Sequence, residues 1–158
     1  MPQKTAIVLG SRRVSYQELD EASNRVANAL INLGMKKGDH SPILMPHSAE
    51  WLINYFAIVK AGGMRVILNS MLRPPELVFL LQDSDSEILL TERKFSQELT
   101  SHLPAIPSLR RVIELDSASY AEIIANSSCS SPIVGIKEED AERVGPVQDA
   151  VNYIELKR

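Results

Sequence analysis

The chain has 158 residues, 44% hydrophobic and 23% charged, which suits one soluble globular domain with its own core. Its 20 acidic and 17 basic residues leave a mild negative charge, and nothing in that balance calls for a nucleic acid or an anionic membrane as partner. The single cysteine, Cys129, excludes an internal disulfide and is expected to be buried or idle; with no apolar window of membrane-span length and no signal-like leader in MPQKTAIVLG, the expected location is the cytoplasm.

Thr5 to Leu9 is rich in β-formers, Gly10-Ser11-Arg12-Arg13 reads as a turn, and Val14 to Tyr16 is the return strand of a small hairpin. Ser15 and Glu18 make a capping box, the hydroxyl serving the N3 amide while the carboxylate reaches back to the cap amide, so a helix starts there. Leu19, Ala22, Val26, Ala29, Leu30 and Leu33 share its apolar face, Asp20, Glu21, Asn24, Asn28 and Asn32 point elsewhere, and Gly34 supplies the left-handed stop. After a solvated turn at Lys36-Lys37-Gly38-Asp39, Ile43 to Met45 is the short apolar run of a buried parallel strand, ended by Pro46.

Ser48 caps a second helix, in which Trp51, Leu52, Tyr55, Phe56 and Val59 are expected to form the main buried stripe, widened by Ile53, Ala57 and Ile58. Ala61-Gly62-Gly63 ends it, and Val66 to Leu68 is the next strand; Arg65 at the entrance of a buried strand costs stability unless it reaches water or a carboxylate. A third helix starts around Pro74-Pro75-Glu76 and turns Leu77, Leu80 and Leu81 inward, followed by a strand over Ile88 to Leu90. Glu92 to Leu103 reads as a mostly polar helix, Arg111 to Leu115 as a strand, and Tyr120 to Ala125 as a short helix capped by Ser117 or Ser119. Asn126 to Ser131 is expected to be a mobile serine-rich loop and Lys137 to Arg143 a solvated charged run. The alternation predicts an α/β fold, a largely parallel sheet flanked by helices.

Gly38-Asp39, Lys60-Ala61-Gly62-Gly63, Leu68-Asn69 and Pro75-Glu76-Leu77 follow one another at element boundaries, after the stretch VSYQELDEASNRVANAL. In that order and spacing they resemble the opening of the AMP-forming acyl-CoA synthetases, which are adenylate-forming ligases. The resemblance runs over roughly Thr5 to Asp140 and implies the N-terminal subdomain of the adenylate-forming ligase fold over residues 1–140, with a divergent tail at 141–158. It also implies the family reaction: ATP and Mg turn a fatty or other carboxylic acid into an acyl-adenylate with loss of pyrophosphate, and the acyl group then passes to CoA.

In that family the chemistry lies in a Ser/Thr/Gly-rich phosphate loop of the form TSGTTGxPKG, a later aromatic and Thr-Glu motif, a ribose-binding Asp and a C-terminal Lys. None of these motifs occurs in the 158 residues, and the chain reads as truncated before the phosphate loop. The matched residues themselves read as scaffold: glycines turn the chain and Asn69 bridges backbone groups at a strand end. The expectation is therefore no catalytic, cofactor-binding or metal-binding residue, no cofactor held by this chain and no activity alone. The expected partner is a complementary ligase fragment or a second copy of the chain; the alternatives are a non-catalytic interaction module and one half of a split ligase.

His40, Pro42, His47, Arg65, Ile67 and Ser70 depart from the residues more usual at those places in the family. Beyond Glu138-Glu139-Asp140, Gly145-Pro146 is expected to open a helix with Val147, Ala150, Val151 and Ile154 on one side, covering a sheet edge or apolar face. His40, His47 and His102 share no metal-ligand spacing. Asp83, Asp85 and Glu87 alternate like a calcium loop, but Ile88 stands where that loop needs Gly and Lys94 where it needs Glu. Trp51, Tyr55 and Phe56 are candidates for an acyl pocket, although their helical spacing favours core packing.

Overall fold

The structure is a computed structural model that describes residues 2–134. The charged run from Lys137 and the tail from residue 141, with the helix expected at Gly145, lie outside the described residues.

β1 (Thr5–Leu9) and β2 (Arg12–Ser15) pair antiparallel around Gly10-Ser11. The turn is shorter than expected because Arg12 and Arg13 already pair with Leu9 and Val8, and Gly10 takes the positive φ of 59° that so tight a reversal requires. The capping box at the start of α1 (Tyr16–Asn32) forms as expected: the Glu18 amide donates to Ser15 Oγ at 3.2 Å and the Ser15 amide donates to Glu18 Oε2 at 2.7 Å.

Four parallel strands follow, β3 (His40–Leu44), β4 (Met64–Ile67), β5 (Ile88–Thr91) and β6 (Arg111–Glu114), in the spatial order β4-β3-β5-β6. The helices α2 (Ala49–Lys60), α3 (Pro74–Asp83), α4 (Arg93–Leu99) and α5 (Ala118–Ala125) alternate with them. Side-chain alternation splits the core in two. Ile43, Ile88, Leu90 and Ile113 pack with Val26 and Leu30 of α1, Ile58 of α2 and Tyr120 of α5. Leu44 and Leu89 pack on the other side with Leu77 and Leu81 of α3 and Phe95 and Leu99 of α4. Helices thus cover both faces of the sheet.

Two-sided burial makes polar atoms in the central strands costly, and each is matched. Pro42 brings no N–H to a fully buried strand, and the ladder to β5 registers only from Ile43, opposite Leu90. Beside it the buried Ser41 hydroxyl donates to the Ile88 carbonyl at 2.7 Å, and the Thr91 hydroxyl donates to the Leu44 carbonyl at 2.8 Å.

Several expectations need correction. The buried stripe of α2 is Ala49, Asn54, Ala57 and Ile58; Phe56 and Val59 face outward, because small residues let this helix approach the sheet and α1 closely. β4 is an edge strand with only Val66 turned partly inward, so Arg65 is solvated and its guanidinium lies over the Tyr55 ring, 4.2 Å from the centroid. The Glu92 to Leu103 segment is α4 plus a separate 3-10 turn at Leu103–Ala105. Asn24 is buried at the α1–α2 seam, and Cys129 is exposed. The serine-rich loop is tied down: Arg25 donates to the Ser127 carbonyl at 2.8 Å, Asn24 to Cys129 at 3.0 Å, and Asn28 to Ser128 and Ser130 at 2.9 Å each.

The bonds from the Ser15 backbone, and then its hydroxyl, hold the Glu18 carboxyl below its ordinary value of 4.5. A depressed carboxylate adds stability that is present above that ordinary value and lost as the pH falls through the lowered one. Glu18→Ala should therefore lower the melting temperature near pH 7 and converge with the parent protein as the pH falls through the lowered value; a gap independent of pH would contradict the carboxylate's role. Ser15→Ala should cost about 0.5–2 kcal/mol in urea unfolding.

Candidate functional site

The residues of the four family-like signatures cluster where the chain enters and leaves the sheet. At the amino ends of the strands, the Gly38 amide donates to the Gly62 carbonyl at 2.9 Å and the Met64 amide to the Asp39 carbonyl at 2.8 Å, zipping together the entrances of β3 and β4. Gly63 has no room for a side chain, since an added Cβ would stand 3.0 Å from Ile58 Cγ2 and 3.1 Å from Met35 Sδ. The Asp39 carboxylate is buried; it accepts from the Lys36 amide at 2.7 Å and from the Arg110 guanidinium. Arg110 also donates to the Gly34 carbonyl at 3.0 Å and to Glu87 at 3.2 Å, so one side chain pins the turns ahead of β3, β5 and β6.

Lys60 closes the seam between α1 and α2. Its Nζ donates to Asp20 Oδ1 at 2.6 Å, Ser23 Oγ at 2.7 Å and Asn24 Oδ1 at 2.8 Å, while the aliphatic stem lies along the packed helices. Asn69 makes the expected backbone bridge, accepting from the Met71 amide at 3.0 Å, and Glu76 accepts from the Arg73 amide at 2.9 Å at the start of α3. Every signature residue with a polar side chain is thus bonded to the scaffold.

The strand order reverses between β3 and β5, and in open α/β sheets ligands favour the crevice at the carboxyl ends of such strands. Here the Thr91 hydroxyl is engaged with Leu44, and His47 lies edge-on to Trp51 with ring centroids 4.8 Å apart. Trp51 stacks on Tyr55 at 5.4 Å, so these aromatics form a packed ladder along α2. The Trp51 indole N–H is buried with no hydrogen-bond partner among the described residues.

A cleft of about 550 Å³ runs beside β6, walled by Ser96 and Gln97 of α4 and by Tyr120 and Ile123 of α5. Its one carboxylate, Glu114, accepts from Ser96 Oγ at 2.5 Å and Arg93 Nε at 3.2 Å, bonds that hold its carboxyl below the usual range, Ser96 foremost. Burial pushes the Tyr120 phenol far above its usual value, and its hydroxyl donates to Asn54 Oδ1 at 3.2 Å. These groups tie α4 to β6 and α5 to α2. Among the described residues no three His, Cys, Asp or Glu side chains stand together as metal ligands, and Asp83, Asp85 and Glu87 serve as helix end, turn and Arg110 partner.

The remaining candidate is apolar. Met64 and Ile67 on β4 are 56% and 54% exposed, Met71 in the next turn 88%, and Phe79 on α3 63%. Leu72, Pro75, Glu76, Phe79 and Leu80 line a groove of about 410 Å³ on α3. Sequence reasoning missed it because it assigned β4 to a buried position; the short run with Arg65 inside was the available sign of an edge strand.

Comparison with known proteins supplies the wider setting. The family profile described as AMP-binding enzyme matches residues 1–152. A medium/long-chain-fatty-acid–CoA/3-oxocholest-4-en-26-oate–CoA ligase from Mycolicibacterium smegmatis is 31% identical over 119 residues, which are 75% of this chain and 22% of that protein. A 3-hydroxybenzoate–CoA/4-hydroxybenzoate–CoA ligase from Thauera aromatica is 33% identical over 126 residues, 78% of this chain and 24% of its own length. The crystal structure of the anthranilate CoA ligase AuaEII in complex with anthranoyl-AMP superposes with a TM-score of 0.75 at 27% identity, over 85% of this chain and 26% of that one. The chain therefore spans about a quarter of the length of each of these three proteins.

Lys60→Met should leave Asp20, Ser23 and Asn24 without their shared donor and cost about 1–3 kcal/mol. A urea midpoint equal to that of the parent protein would show that the seam holds without it.

Proposed function

The chain belongs to the AMP-binding enzyme family, and on that premise we propose that it serves as the N-terminal α/β subdomain of an AMP-forming acyl-CoA ligase, without adenylating activity of its own. The carrying observation is that the matched signatures are all spent on scaffold contacts, in a chain that spans about a quarter of the acyl-CoA ligases it matches. The reaction of the complete ligase would activate a fatty or other carboxylic acid with ATP to an acyl-adenylate and then acylate CoA. The residues described here do not fit a Mg–ATP site: the buried acid, Asp39, is neutralised by Arg110, the cleft acid, Glu114, by Arg93, and no phosphate loop occurs in residues 1–158.

In this reading the subdomain presents a rigid platform, and a complementary part of a ligase carries the phosphate loop and catalytic lysine. The expected setting is the cytoplasm; among the described residues no helix is long and apolar enough to cross a membrane. A non-catalytic interaction module is the second reading, favoured by the apolar surface at β4.

Purified residues 1–158 should show no acid-dependent exchange of pyrophosphate into ATP above a boiled control, across fatty, benzoic and anthranilic acids. Exchange with any of them would overturn the proposal.

A further inference from the structure

Independently of the ligase reading, we propose that the segment from Gly145 to Glu155 of this same chain lies along the outward face of α2 and covers it. α2 is apolar nearly all round, the pattern of a helix buried on every side. Its few polar side chains are engaged: Glu50 pairs with Arg12, Asn54 accepts from Tyr120, and Lys60 reaches Asp20 of α1. What faces outward is Leu52, Tyr55, Phe56 and Val59, spaced i, i+3, i+4 and i+7 and so on one arc of the helix. Phe56 is 39% and Val59 46% exposed, with Leu52 and Tyr55 half-buried beside them. α1 shows the contrast. Beyond Tyr16 its exposed residues are Gln17, Glu18, Asp20, Glu21 and Asn32, all polar, as a helix facing water requires.

The place where the described residues stop argues for this occupant. Val134 packs on Gly62, just past the end of α2: a Cβ on that glycine would stand 2.8 Å from Val134 Cγ1. α2 has 12 residues and is about 18 Å long, whereas residues 135–146 can extend to about 40 Å, so the segment beyond them reaches any point of the helix. That segment repeats the spacing of the face. Read as a helix opened by Gly145-Pro146, it sets Val147, Ala150, Val151 and Ile154 at i, i+3, i+4 and i+7, with Gln148, Asp149 and Asn152 on the opposite side. Two such stripes pack by interleaving their ridges. A second copy is the weaker occupant, because four side chains on one helix fall short of the about 800 Å² per partner of a stable interface. A tethered segment instead meets the face at a high effective concentration.

Thiol reactivity on that face gives the readout. In a Cys129→Ser background, Val59→Cys places a thiol on the outward arc of α2, and Met71→Cys places one in the exposed turn after β4 as a control. Alkylation of each is followed by mass spectrometry in the chain of residues 1–158, with and without Val151→Glu and Ile154→Glu, every variant first shown to keep the parent circular dichroism spectrum. The two tail substitutions should speed alkylation at position 59 about ten-fold and leave position 71 unchanged. In the same background, Val59→Cys combined with Val151→Cys should be joined within one chain by a short bismaleimide, in a yield independent of protein concentration. An alkylation rate at position 59 that the tail substitutions leave unchanged would mean an open face and would overturn the proposal. Protection that rises with concentration, with links between chains, would overturn it too and assign the face to a second copy.

Discussion

Everything in this structure depends on β3 and β5 being dry on both faces. Ile43, Leu44, Ile88, Leu89 and Leu90 are fully buried, and each such side chain contributes about 1.5–3 kcal/mol when removed from water. Burial on two sides demands helices on two sides, which sets the layering. It also demands that polar atoms in these strands find partners inside, which is why Ser41 and Thr91 reach across to carbonyls of the neighbouring strand. A central proline is tolerated because the ladder to β5 begins only beyond it.

The second constraint acts at the strand entrances. Gly38, Asp39, Gly62 and Gly63 bring the starts of β3 and β4 together through backbone bonds and close contact, and Arg110 arrives from the far side of the sheet to hold three turns at once. Lys60 does the same for α1 and α2. The residues that mark the family are thus fastening points for a rigid platform. Their polar side chains are engaged with neighbouring turns and helices.

The two edges of the sheet divide the remaining work. Beside β6 the Glu114 carboxylate is bonded to Ser96 and Arg93, while at β4 Met64 and Ile67 are left exposed. A short edge strand bearing an arginine resists casual strand pairing.

By itself the sequence determined the order of elements, because period, caps and breakers are local: Ser15, Ser48 and Ser117 cap as their spacing implies, and Gly34 and Gly62 take positive φ. It determined the fold class and the family resemblance for the same reason, since both rest on short signatures at element boundaries. The tertiary structure alone decided which strand lies at the edge, which face of α2 is buried, and that the serine-rich loop is bound by Asn24, Arg25 and Asn28 of α1. Those outcomes depend on partners distant in the chain, such as Arg110 for Asp39 and Asn54 for Tyr120, whose pairing leaves no periodic trace in the sequence. The exposure of Met64, Ile67 and Phe79 is legible only there, because an apolar residue reads alike in sequence whether its neighbour across the sheet exists or is absent.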